Sequence, residues 1–112
     1  MKLEEFKKVI QEYAVYPGCG TRSKEELAYL ALGLAGEAGE AVDCVKKVLR
    51  GLPAEWEEQQ KLKCAKEIGD VFWYAVMLLQ ALGYNEEDIL FWTTQKLEER
   101  KREGTLKYRK GS

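Results

Sequence analysis

From Ser23 to Gly83, apolar residues recur at three- and four-residue steps, and the one strong interruption is Gly51-Leu52-Pro53. That period is the stripe of an amphipathic helix, sustained over two long stretches. A chain patterned this way folds as helices packed side by side. Two prolines in 112 residues, with abundant Leu, Ala, Glu and Lys, exclude a turn-rich β sandwich, a collagen-like rod and a disordered chain. With 46% hydrophobic and 33% charged residues, the length suits one domain, residues 1–112, and is too short for two.

The spacing predicts four helices, an all-α protomer resembling a four-helix bundle. Leu3, Phe6, Val9, Ile10 and Tyr13 mark the first, over 3–15, which Tyr16-Pro17-Gly18-Cys19-Gly20 breaks. Ser23 and Glu26 read as a capping box that opens the second, over 24–50, and Gly51 is its left-handed stop. Pro53 leads into the third, over 54–82, which Gly83 ends. Asn85, followed by Glu86, Glu87 and Asp88, reads as an N-cap with acids at the positive end of a fourth helix, over 86–103.

Composition then narrows the chemistry. The chain has no His, which removes His-based triads, His-ligated zinc and haem. Catalysis must rest on carboxylates, cysteine or a bound metal. Cys19, Cys44 and Cys64 are odd in number and contain no CxxC pair, so they predict neither a disulfide framework nor a zinc site, and point to a reducing cytoplasm. No apolar run approaches the roughly 18 residues of a membrane span, so no membrane partner is expected. The formal charge of −1 argues against a nucleic-acid binder. Charge is nevertheless uneven: from Lys96 to Lys110 there are seven basic residues against three acidic ones. Read alone, residues 104–112 are a solvated basic tail.

Four acids depart from an ordinary amphipathic pattern. At about 100° per residue, Leu27, Leu30, Leu34, Ala41, Val45 and Val48 form the core stripe of the second helix. Glu37 lies roughly 60° from Leu34 at the margin of that stripe, and Glu40 roughly 60° further on the same side. On the third helix, Cys64, Ile68, Val71, Ala75, Leu79 and Leu82 define the stripe, with Glu67, Asp70 and Tyr74 along one flank. Packing stripe against stripe brings Glu37 and Glu40 opposite Glu67 and Asp70. Four carboxylates sharing one site need a positive partner, because each raises the others' pKa and pays for desolvation. An all-oxygen donor set without His or Cys favours Mg²⁺ or Mn²⁺ over zinc or copper, and magnesium commonly partners phosphate. Gly36 and Gly39 beside the acids mark either a close approach of backbone or phosphate or tight helix packing.

The pattern Glu37-Ala38-Gly39-Glu40, 26 intervening residues, then Glu67-Ile68-Gly69-Asp70, resembles the E-x-x-E and E-x-x-D signature of MazG-type all-α nucleoside triphosphate pyrophosphohydrolases. The segment Gln95-Lys96-Leu97-Glu98-Glu99-Arg100, before Gly104, is similar to that family's K-L-x-x-R stretch, and the likeness spans about 24–104. The resemblance implies that Glu37, Glu40, Glu67 and Asp70 are magnesium ligands and catalytic residues. It implies that Lys96 and Arg100 contact phosphates and that Tyr74 lies near the nucleotide. It also implies cleavage of a nucleoside or deoxynucleoside triphosphate between the α and β phosphates, clearing non-canonical or surplus nucleotides. Two or three divalent ions held by such acids would neutralise a triphosphate and acidify a water, with Glu40 or Glu67 as proton acceptor.

Trp73, Val76 and Met77 lie nearly opposite the core stripe of the third helix, leaving it apolar all round. That predicts a homo-oligomer, a dimer or a dimer of dimers, centred on this helix, with active sites able to draw residues from two chains. Trp56, Phe91 and Trp92 read as core or interface. Two other functions fit the same residues: a base-specific dUTPase or dCTPase on the same scaffold, and a non-enzymatic helical interaction module.

Overall fold

The computed structural model describes residues 1–105. It contains four α-helices, α1 (Leu3–Glu12), α2 (Lys24–Arg50), α3 (Ala54–Ala81) and α4 (Glu86–Arg102), and no strand among the described residues. Helices α2 and α3 are joined by three residues and lie antiparallel along their lengths. Gly51, at φ 95°, supplies the left-handed turn and Pro53 sets the start of α3. Asn85 caps α4 with a complete capping box, accepting from the Asp88 amide while the Asp88 carboxylate accepts from the Asn85 amide.

The core sits at one end of the α2–α3 pair. Ile10 from α1, Tyr16 from the following loop, Leu30 from α2, and Val76, Met77 and Ala81 from α3 are buried together, with Phe6, Leu27, Trp73 and Leu78 packed around them. A second, smaller buried zone, Ala41, Cys44 and Cys64, closes the helix pair nearer the α2–α3 turn. The stretch between these two zones carries the acids.

Several expectations shift on meeting this packing. Helix α1 ends at Glu12 rather than at residue 15. Pro17 disfavours helix in the residue before it, and Tyr16 turns inward so that its hydroxyl donates to Glu26 Oε2 at 2.6 Å. Only half of the box expected at Ser23 forms: Ser23 Oγ accepts from the Glu26 amide, but the Glu26 carboxylate turns to the loop instead. On α2, Val45 is exposed and Cys44 is buried in its place. On α3, Ile68 and Ala75 are exposed, as is Leu82 just past its end, while Val76, Met77 and Ala81 are buried. The reason is α1 and its loop: Ile10 and Tyr16 cover the face of α3 that bears Val76 and Met77. The face assigned to another subunit is the chain's own core.

Helix α4 stands apart. None of its residues is buried, and Phe91 and Trp92 are exposed, as is Trp56 on α3. Its start is tied to α1 by Lys7 Nζ and Glu86 Oε2 at 3.1 Å. The radius of gyration is 17.2 Å, against about 13 Å for a compact chain of this length. No described helix is long and apolar enough to cross a membrane.

Candidate metal centre

Midway along the helix pair, one carboxylate oxygen each from Glu37, Glu67 and Asp70 lie within 4.8 Å of one another. The antiparallel register brings them together: α2 presents Glu37 one turn beyond Gly33, and α3 presents Asp70 one turn and Glu67 two turns before Tyr74. Glu37 and Glu67 are half-buried and Asp70 is exposed. Glu37 Oε2 is sealed from solvent and has no hydrogen-bond partner. Burial pushes the Glu37 carboxyl above the usual carboxylate range, and the charges of Glu40, Asp70 and Glu67 push the same way. Among the described residues, no Lys or Arg forms an ion pair with any of the three. An uncompensated cluster with an orphaned oxygen fits a hard divalent cation, which takes oxygen donors and supplies the missing charge.

Glu40 flanks this trio. It is exposed and stands close enough to Glu37 to raise that carboxyl, and it lines a neighbouring cavity of about 210 Å³ with Asp43, Cys44, Lys47, Lys63 and Glu67. On the other side, Glu37 and Asp70 share an open cavity of about 390 Å³ with Tyr13, Trp73 and Tyr74. Tyr74 is half-buried and its ring fills the space left by Gly33, where a β-carbon would overlap Tyr74 Cε1. Neighbouring Tyr29, together with burial and the nearby charges of Glu37 and Asp70, pushes the Tyr74 hydroxyl up to about 12. The acids thus lie between an aromatic cavity and one that contains lysines.

Lys96 and Arg100 are exposed on α4 and line neither cavity. The basic residues beside the acids are Lys47 and Lys63, which the motif reading did not single out. Their signal was available in the helical period, since Lys47 is seven residues beyond Glu40 and Lys63 four residues before Glu67. Gly36, Gly39 and Gly69 face open space, so tight packing within the chain does not account for them.

An all-α hairpin with convergent carboxylates at its centre places the chain among helical proteins that carry an acidic cluster between two antiparallel helices. Residues 25–105 match the MazG nucleotide pyrophosphohydrolase domain, and the chain belongs to that family. It is also 33% identical over 107 residues to the gene 37 protein of Mycobacterium phage L5, covering 95% of this chain and 94% of that protein. No solved structure matches it.

Proposed function

We propose that the chain is a Mg²⁺-dependent nucleoside triphosphate pyrophosphohydrolase, acting in a reducing cytoplasm and converting nucleoside or deoxynucleoside triphosphates to the monophosphate and pyrophosphate. The observation that carries this reading is the clustering of Glu37, Glu67 and Asp70, one carboxylate oxygen each within 4.8 Å of the others, with Glu37 Oε2 sealed and unpartnered, in a chain of the pyrophosphohydrolase family. Glu37, Glu67 and Asp70 would hold Mg²⁺ or Mn²⁺, with Glu40 completing the donor set from the rim. The bound cation would supply charge neutralisation of the triphosphate and acidification of water.

The chain's own residues do the rest. Glu67 and Glu40 border the same cavity, so either is placed to accept the proton of the attacking water. Tyr74, Trp73 and Tyr13 give the base flat apolar surface beside the acids. Tyr74 fits into the space at Gly33 and lies beside the Tyr29 ring, 6.3 Å between centroids.

The proposal includes a homo-oligomer, a dimer or a dimer of dimers. An apolar groove of about 300 Å³, lined by Ala41, Val42, Val45, Leu49 and Ile68, runs along the outer face of α2 and α3. Helix α4 offers an unburied apolar surface, including Ile89, Leu90, Phe91 and Trp92. Covering these faces with a second copy is the proposed route by which Lys96 and Arg100 of one chain reach the acids of the other, since within one chain they line neither cavity.

Pyrophosphate release from a panel of common and damaged nucleoside triphosphates, with Mg²⁺ supplied, tests the reading. Release that disappears on chelation supports it. No release from any member of the panel overturns it in favour of a binding module.

A further inference from the structure

The acid cluster has two unlike flanks, and a nucleoside triphosphate is itself polar along its length. One flank is the cavity walled by Trp73 and Tyr74 with Glu37 and Asp70, and the other holds Lys47 and Lys63 with Glu40, Glu67 and Asp43, the last already paired with Lys46. Neither lysine forms an ion pair among the described residues, although neighbouring Lys46 and Lys61 are both paired, with Asp43 and with Glu57 and Glu58. Lys47 comes from α2 and Lys63 from α3, so they approach the cavity from opposite walls. Two lysines without an ion pair, lining one cavity beside acids proposed to hold divalent cations, suit an anion site, since such cations and the lysines together neutralise phosphate oxygens.

We infer that Lys47 and Lys63 bind the β and γ phosphates, so that the substrate lies along the α2–α3 groove with its base toward Tyr74 and its pyrophosphate end toward the α2–α3 turn. The scissile bond between the α and β phosphates then falls over the acid trio. Lys47 and Lys63 are positioning residues for the leaving group, and they retain pyrophosphate after cleavage. This assignment rests on the pyrophosphohydrolase reading and adds to it the direction of the substrate.

The test replaces both lysines by Met, which keeps the aliphatic stems, and measures binding of inorganic pyrophosphate and of a nucleoside monophosphate by calorimetry with Mg²⁺ present. Both positions are exposed on long helices, and circular dichroism checks that the double variant keeps its helicity. The expected result is a weakening of pyrophosphate binding by about tenfold or more, unchanged monophosphate binding, and recovery when both positions are Arg. In turnover, KM for the triphosphate rises by a similar factor. Unchanged pyrophosphate binding, or equal weakening of both ligands, overturns the assignment. Because the binding measurement needs no catalysis, its failure is separable from a wild-type chain that releases no pyrophosphate.

Discussion

Gly33 on α2 and Tyr74 on α3 occupy one space: the missing side chain of the first is the room taken by the ring of the second. A methyl group at Gly33 would overlap Tyr74 Cε1, so the substitution Gly33→Ala must push the ring away from Glu37 and Asp70. The expected cost is about 1–3 kcal/mol of stability, read from the shift in denaturant midpoint. A larger rise in KM than fall in kcat is expected as well. Gly36→Ala, one turn along with nothing within 4 Å, should be neutral or stabilising. Equal effects at the two glycines would show that the contact has no role.

Glu26 is 2% exposed and fully occupied. Its carboxylate accepts from the Tyr16 hydroxyl at 2.6 Å and from the amides of Gly20 and Arg22 at 2.7 and 2.9 Å. Burial alone would raise this carboxyl, but the hydrogen bonds from Tyr16, Gly20 and Arg22 outweigh it and hold it below the usual range. A carboxyl depressed in the folded state stabilises the protein fully above its unfolded pKa, about 4.3, and that stability is lost as pH falls through the folded value. Glu26→Gln should therefore cost about 3 kcal/mol near neutrality and much less near pH 3, measured by denaturant unfolding across pH. A cost independent of pH would refute the assignment of charge to this site.

Glu37 works in the opposite sense. Its carboxyl is raised in the folded state, chiefly by burial and then by neighbouring acids, so its ionisation opposes folding as pH rises through the raised value. Removing that charge with Glu37→Gln should stabilise the metal-free protein by about 1 kcal/mol at neutral pH. With Mg²⁺ in excess the order should reverse, because the wild type gains binding energy that the variant lacks. Thermal melts with and without the cation check both halves.

The outer apolar groove should be where copies meet. Ile68→Lys places a charge in that groove and is expected to lower the mass of the assembly in sedimentation equilibrium without loss of helicity. Trp73→Lys, by contrast, disturbs the chain's own aromatic cluster with Tyr16 and Tyr74 and should destabilise the protomer. An assembly of unchanged mass in Ile68→Lys would reject this face as the interface.

Helix positions were legible because Ser23, Gly51, Pro53, Gly83 and Asn85 punctuate a clean period, and the acids because four carboxylates at stripe margins are costly without a purpose. Which face of α3 turned inward was not legible. Both faces are apolar, and the choice is made by Tyr16, in the loop after α1, which reaches Glu26 through a tertiary bond between residues with no pattern joining them. The Glu26 contact itself looked like half of a helix cap. Lys47 and Lys63 were missed because a lysine on an exposed helix face is ordinary until the opposing helix shows what it faces.

On the proposed function, Glu37, Glu67 and Asp70 together hold a divalent cation. Titration of Mn²⁺ followed by electron paramagnetic resonance, on wild type and on Glu37→Gln and Asp70→Asn, measures this directly. Saturable binding to the wild type that weakens at least about tenfold in each variant is the predicted result. Equal Mn²⁺ binding by all three proteins, or none by the wild type, would contradict it.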